Sequence, residues 1–269
     1  MIKIPTFATK QELYSYLKKN KALHIQAKKS AMKYADCVSG QIFTISEKGT
    51  VEKTIIDPAV MDVDNFKILV AINTCNYFDS HGDVHIPGLW KKSVSEQKLL
   101  YLLQEHKMTF ENVISDDVKA SAKNISWADL GETYPGTTEA LLFDCNVSKE
   151  RNEFMSEQYK KCYVKNHSVG MRYINIELAM NSESKFDVEE KAIWDKYYPQ
   201  IVNKEAVDQY GYFWAVIEAK FVEGSAVLMG SNQVTPTISI SAKQEPVATT
   251  PKTEPSEDTQ KNGLSFILG

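Results

Sequence analysis

The chain has 269 residues and a formal net charge of −4, and its 43% hydrophobic and 25% charged residues are ordinary for a globular protein. Only two of its 31 basic residues are arginines, Arg151 and Arg172, so neither charge nor arginine content favours a nucleic-acid-binding protein. The four cysteines lack CxxC spacing, which argues against a zinc ribbon and favours reduced thiols, and we expect neither a signal peptide nor a membrane span.

The first 40 residues predict a helical appendage to the domain that follows. The sequence TKQE at 9–12 matches a capping box, in which the Thr hydroxyl and the Glu carboxylate accept hydrogen bonds from backbone N–H groups of the first turn. A second, lysine-rich helical run follows at 21–34. We predict that its lysines form a solvated face, with an acidic partner as the alternative, and that His24 is exposed.

Residues 41–232 predict one domain of short strands with few helices. Apolar and β-branched runs predict strands at 66–73, 99–103, 118–127, 140–147, 166–178 and 212–221. Helical spacing predicts helices at 90–97 and 149–162 and a helical insert at about 187–207, while Asp, Gly and Pro predict a turn over 79–88. Because strands and helices do not alternate regularly, we expect an α+β fold: a small, mostly antiparallel sheet or barrel with peripheral helices.

The composition changes after residue 232. The segment 233–269 is rich in Thr, Pro, Ser, Lys and Glu, so it predicts a disordered tail that cannot bury enough apolar surface to fold. The tail ends in an apolar stretch at 264–268, which is either a docking peptide or a remnant without a role.

Ser168 is a candidate nucleophile because it precedes a glycine in a predicted strand. A serine needs a neighbouring base, usually a histidine, and a third group to orient that base. Strand alternation places Ser168 and Gly170 on one face and His167 on the other, so His106, at the end of an apolar run, is the better candidate base. The alternative interpretation is that Ser168 is only a small polar residue within a strand and that His106 is a core histidine whose hydrogen bonds are satisfied. Residue spacing alone favours this alternative.

Two carboxylates are candidates for the third group. Glu218 and Glu223 both lie near the end of the last predicted strand, and composition does not choose between them. The sequence around Ser168 lacks the first glycine of a nucleophile elbow, which argues against an α/β-hydrolase.

A metal site is the weaker hypothesis. Asp79, His81, Asp83 and His85 alternate along the predicted turn and could in principle gather a metal ion for a metal-dependent hydrolase. The glycine and proline among them favour a turn instead, so we predict no metal and no cofactor.

Four blocks of sequence resemble those of the tailed-phage prohead (head maturation) serine proteases, which are related in fold to herpesvirus assemblin. The blocks are DSHGDVHIPGLW at 79–90, LLQEH at 102–106, HSVGM at 167–171 and EGSAVLMGSN at 223–232. Each block is weak alone, but their order and spacing resemble the family's over roughly 66–235, about two thirds of the chain.

The resemblance implies a Ser-His-Glu triad on a small β-barrel. Ser168 would be the nucleophile, His106 the general base and Glu223 the group that orients His106, with Glu218 in reserve. Backbone amides near Gly170 would help to stabilise the oxyanion. The N-terminal helices, the insert at 187–207 and the arginine-poor surface depart from the family's pattern.

The resemblance also implies a function in virion assembly. The chain would be a serine endopeptidase of bacteriophage capsid maturation that cleaves scaffold or major capsid protein segments, and itself, within the procapsid in the host bacterial cytoplasm. A homo-oligomer is possible in such a shell, and neither nucleic acid nor membrane is an expected partner. The alternative is a non-catalytic scaffold or shell protein that retains the protease fold.

Overall fold

A computed structural model describes residues 2–32 and 55–242. It contains six α-helices and ten strands within these ranges. The helices are α1 (Lys10–Lys19), α2 (Lys21–Ser30), α3 (Lys91–Ser95), α4 (Glu153–Lys160), α5 (Val188–Tyr197) and α6 (Lys204–Tyr210). The strands are β1 (Ile55–Ile56), β2 (Asn65–Thr74), β3 (Asp83–His85), β4 (Leu102–Gln104), β5 (Val113–Ser115), β6 (Val118–Ser126), β7 (Thr137–Ser148), β8 (Asn166–Met180), β9 (Tyr212–Val227) and β10 (Thr237–Ala242).

The strands form two mixed sheets, so the fold is mixed α and β as predicted, but the expected barrel is wrong for the described residues. The first sheet has the order β1-β10-β2-β7-β6, and the second has the order β3-β9-β4-β5 with β8 also paired to β9. The strand β9 explains the departure. It pairs with β8 over its length, while β3 and β4 both lie parallel to it, at 214–216 and 224–226. Neither sheet closes on itself.

One apolar core joins the two sheets. The Phe143 ring from β7 packs edge-on against the Phe221 ring from β9, with centroids 6.1 Å apart. A Cβ at Gly224 would lie 2.7 Å from the Phe143 ring, so glycine is needed where β9 approaches the other sheet. The core therefore fixes the position of β9 immediately beside Glu223.

The N-terminal helices pack into this core. The predicted capping box is present in part: the Glu12 amide donates to Thr9 Oγ1 at 3.3 Å, and the Glu12 carboxylate accepts from the Ala8 amide. Tyr14 and Leu17 are buried in the main core. The prediction that His24 is exposed is wrong, because only 3% of it is accessible.

The lysine-rich helices have acidic partners within the chain. Lys21 pairs with Glu190 of α5 at 2.6 Å, and Lys18 pairs with the same carboxylate at 3.3 Å. Lys28 is buried and pairs with Asp83, whereas its neighbour Lys29 is exposed. The prediction of a solvated lysine face therefore holds at Lys29 and is wrong at Lys28.

The predicted helical insert is present as α5 and α6, and Trp194 of α5 packs on Phe213 of β9.

The predicted start of the disordered tail is wrong, because 237–242 form β10, which pairs with β2 and β1. Alternating β-branched residues in TISIS at 237–241 explain this strand. The remaining tail, 243–269 with its apolar end, lies outside the described residues, as does the predicted domain start at Gln41.

Most predicted strands are present, with shifts at their ends. The run at 99–103 becomes a strand only from Leu102, and the helix predicted from Lys149 begins at Glu153, with Asn152 as its cap. The strand β3 was missed because three residues within a turn sequence carry no periodicity. None of the helices in 2–32 and 55–242 is long and apolar enough to cross a membrane.

Candidate active site

Two neighbouring strands present four polar or small residues on one face. Ser168 of β8 lies directly opposite Ser225 of β9, and Gly170 lies opposite Glu223. Directly opposite residues of an antiparallel pair project to the same side, with Cβ atoms roughly 5 Å apart. Strand alternation therefore puts Ser168, Gly170, Glu223 and Ser225 on a common face.

His106 reaches this face through a reversal of the chain after β4. Glu105 and His106 have positive φ values of 52° and 57°, a left-handed conformation that is uncommon for residues other than glycine. The Glu105 amide donates to the Ala226 carbonyl at 2.9 Å, and the His106 amide donates to Ser225 Oγ at 3.1 Å. The turn thus directs His106 back along β9 instead of past its end.

The imidazole of His106 is bonded to a buried carboxylate. His106 Nδ1 lies 2.6 Å from Glu223 Oε1, and the two side chains are only 7% and 1% exposed. A carboxylate can only accept, so we infer that Nδ1 carries the proton and that Nε2 carries the lone pair when the ring is neutral. Ser225 Oγ donates to the other carboxylate oxygen, Oε2, at 2.6 Å.

The structure brings Glu223, and not Glu218, to His106. Glu218 is partly exposed and lies 3.8 Å from the exposed ammonium of Lys92. The two carboxylates are five residues apart on β9, with a register irregularity between them, so strand periodicity could not have placed either one. Ser225 was missed as a functional residue, although its spacing of two from Glu223 puts both on the same face.

Ser168 and His106 both neighbour Ser225. Ser168 lies across the ladder from Ser225 and is 6% exposed, while the His106 amide contacts the Ser225 hydroxyl. The Ser168 side chain and the backbone of His106 therefore lie beside the same residue. Direct contact between the hydroxyl at 168 and the imidazole at 106, which the sequence hypothesis requires, stays a prediction.

His167 points away from this face, as strand alternation predicted. Its Nε2 lies 2.9 Å from the Tyr159 hydroxyl, and its Nδ1 lies 3.0 Å from the Thr235 carbonyl. Burial lowers the pKa of His167 to about 4, and the hydrogen bond to Thr235 opposes that shift. His167 is thus a neutral core histidine.

A second buried polar cluster lies at the predicted turn. Asp79 Oδ1 accepts from the amides of His81 and Asp83, whereas its Oδ2 has no hydrogen-bond partner among the described residues. Burial and the nearby Asp83 carboxylate raise the pKa of Asp79 to about 6. The Tyr173 hydroxyl donates to Asp83 Oδ2 at 2.7 Å, and the Lys28 ammonium is bonded to Oδ1.

An ion pair with Lys28 accounts for the buried Asp83 carboxylate of this cluster. Asp79, His81 and Asp83 offer ligand atoms within 4.8 Å of one another, but Lys28 already supplies a positive charge to Asp83. His85, the fourth residue of the metal hypothesis, instead has its Nδ1 2.7 Å from the Asn73 amide nitrogen. The cluster anchors α2 to β3, and we do not propose it as a metal centre.

No protein-family model matches this chain, and neither a curated protein nor a solved structure matches it. The function proposed below therefore rests on the site geometry and on the resemblance of the four sequence blocks.

Proposed function

We propose that this protein is a serine endopeptidase, with Ser168 as the nucleophile, His106 as the general base and Glu223 as the group that orients His106. The observation that carries the proposal is the 2.6 Å contact between His106 Nδ1 and Glu223 Oε1 on the strand face that also bears Ser168. A buried carboxylate that accepts from Nδ1–H favours the tautomer with the lone pair on Nε2, which is the form a general base requires.

In the proposed reaction, Ser168 Oγ attacks the carbonyl carbon of a peptide bond while its proton passes to His106 Nε2. The C–N bond then breaks, and the proton passes from Nε2 to the departing amine nitrogen. Water, deprotonated by His106, hydrolyses the acyl-serine ester and restores the hydroxyl. Glu223 remains a carboxylate throughout and stabilises the imidazolium.

The resemblance to prohead proteases supplies the proposed substrates: capsid or scaffold protein segments of a bacteriophage procapsid. The described strands do not form that family's barrel, so the site supports this proposal better than the fold does. The chain's own C-terminal segment is a second candidate substrate. Because β10 is paired with β2 up to Ala242, we place self-cleavage beyond that residue.

An active-site probe tests the reaction class. A fluorophosphonate reacts with activated serines, so the purified protein is expected to be labelled, with loss of labelling in Ser168→Ala. Ser95→Ala is the matched control, since Ser95 is exposed in α3 and its hydroxyl bonds only the Lys92 carbonyl among the described residues. A folded wild-type protein that takes up no label would overturn the proposal.

Co-expression with the capsid protein of the same phage tests the substrate. Capsid processing is expected with the wild-type chain and not with Ser168→Ala. Equal processing in both would contradict a protease role, and a shell that assembles without processing in either would favour the non-catalytic scaffold protein.

A further inference from the structure

Ser225 connects the proposed base, His106, to the carboxylate that orients it, Glu223. Its Oγ donates to Glu223 Oε2 at 2.6 Å and accepts from the His106 backbone amide at 3.1 Å. The residue has no accessible surface and lies on β9 directly across from Ser168. One hydroxyl therefore contacts both the carboxylate and the turn that carries the imidazole.

These two hydrogen bonds fix the direction of the Ser225 hydroxyl. The backbone amide of His106 can only donate, so the Ser225 oxygen accepts from it and the Ser225 hydroxyl donates its hydrogen to Glu223. A serine whose proton is engaged by a carboxylate and whose oxygen is fully enclosed is unsuited to attack a substrate. Ser168, with 6% of its surface accessible, is the better placed nucleophile.

We propose that Ser225 is a positioning residue of the triad, an inference that rests on the proposed protease function. It holds the Glu223 carboxylate so that Oε1 faces His106 Nδ1, and it holds the left-handed turn so that the imidazole stays within reach. Without its hydroxyl, Oε2 loses its donor and the amide of a strained residue loses its acceptor.

The Ser225→Ala variant tests this role through the rate of fluorophosphonate labelling. We expect a loss of about 10- to 100-fold, since hydrogen bonds to charged groups are among the stronger ones. Ser115→Ala is the matched control. Ser115 is also buried in this sheet and its hydroxyl also makes backbone hydrogen bonds, to Asn146 and Asp117, but it pairs with Leu102 and not with the turn at His106. We expect its labelling rate to stay within about twofold of the wild type.

A double-mutant cycle separates positioning from a merely structural role. If Ser225 acts through Glu223, then Ser225→Ala is expected to cost less than about threefold once Glu223 is already replaced in Glu223→Gln. Equal losses in the two backgrounds would show that Ser225 supports only the turn at His106 and not the Glu223 carboxylate, which would overturn its assignment as the residue that positions Glu223.

The tautomer of His106 gives a readout that does not depend on catalysis. The ¹⁵N chemical shifts of the neutral ring are expected to report a proton on Nδ1 in the wild type and a mixture of tautomers in Ser225→Ala. An unchanged tautomer in Ser225→Ala would overturn the inference even if labelling slowed. If the probe labelled no variant, the protease proposal would fail, while the tautomer measurement would still decide whether Ser225 positions the His106–Glu223 pair.

Discussion

Gly170 and Glu223 face each other across β8 and β9, and the carboxylate of Glu223 occupies the space that a side chain at 170 would need. A Cβ at Gly170 would lie 1.9 Å from Glu223 Oε1, the same oxygen that contacts His106. Glycine is therefore required at position 170, two residues after the proposed nucleophile, because any side chain there would collide with Glu223. This gives the S-x-G spacing a physical cause within this fold.

Replacing Gly170 with alanine is expected to lower activity by about 100-fold, because a displacement of about 1 Å at a catalytic group can have that effect. The added methyl would push Glu223 away from His106 and destabilise the fold by about 1–3 kcal/mol. The measurement is the labelling rate together with urea unfolding.

The Glu223→Ala background provides the control for Gly170→Ala. With the carboxylate gone, the methyl has space, so the second substitution should cause little further loss of activity. A loss of the same size in both backgrounds would mean that Gly170 acts by some route other than contact with Glu223.

The Glu223→Gln variant is expected to reduce activity by on the order of 10³-fold or more, as loss of the orienting carboxylate does in serine proteases. The amide has no charge to stabilise an imidazolium at His106. Glu218→Gln is the matched control on the same strand and should retain activity, because Glu218 faces Lys92. Comparable losses in both variants, measured as labelling rates, would contradict the assignment of Glu223.

Lys28→Met is expected to destabilise the protein by about 3–5 kcal/mol, since it leaves the Asp83 carboxylate buried without its cation. Lys29→Met, on the exposed side of the same helix, should change the free energy of unfolding by less than about 0.5 kcal/mol. Urea denaturation of the two variants checks the difference. Adding Asp83→Asn to Lys28→Met should recover part of the loss, and no recovery would argue against the ion pair as its cause.

Because His167 is buried in its neutral form, we expect the free energy of unfolding to decrease in weak acid. Its pKa is about 4 in the folded protein and 6.5 as a reference value. The unfolded chain thus takes up a proton first as the pH falls, and the folded state loses up to about 3 kcal/mol between pH 6.5 and 4. His167→Gln should remove this dependence, seen as a smaller change in unfolding midpoint between pH 7 and 4.5.

Asp79 acts in the opposite direction over part of this range, which is why the comparison must be made between two proteins. Its pKa is raised to about 6, so the folded state takes up a proton before the unfolded chain does and gains stability as the pH falls from about 6 towards 3.8. This contribution is common to the wild type and His167→Gln and cancels in their difference. Identical pH profiles for the two would show that His167 does not titrate as proposed.

Which side chains share one face of a strand could be predicted from the sequence, because the alternation of side chains along a strand is a local property. The period of two separates Ser168 from His167, and it also places Ser225 with Glu223. The β8–β9 pairing that joins these faces depends on residues about 50 positions apart, which no local pattern encodes. The choice between Glu218 and Glu223 needed that register.

Other features escaped prediction because long-range packing overrides local preference. The sequence predicts Lys28 as a surface residue of a basic helix, yet it is buried because it forms an ion pair with Asp83 of β3, which is distant in sequence. The barrel was inferred from the number of short strands and from a resemblance, but the parallel positions of β3 and β4 beside β9 are set by crossovers. Ser and Thr in 237–242 hid a strand in which the β-branched residues Thr237 and Ile240 pair with β2.

The reversed turn at Glu105 and His106 has a consequence for anyone who would transfer this arrangement to another sheet. If Ser168, His106 and Glu223 were transferred to strands that end regularly, the imidazole would not reach the carboxylate, because an extended backbone would place residue 106 past the end of its strand. A faithful graft must also reproduce two consecutive left-handed torsions, and hence the hydroxyl and carbonyl acceptors on β9 that hold them.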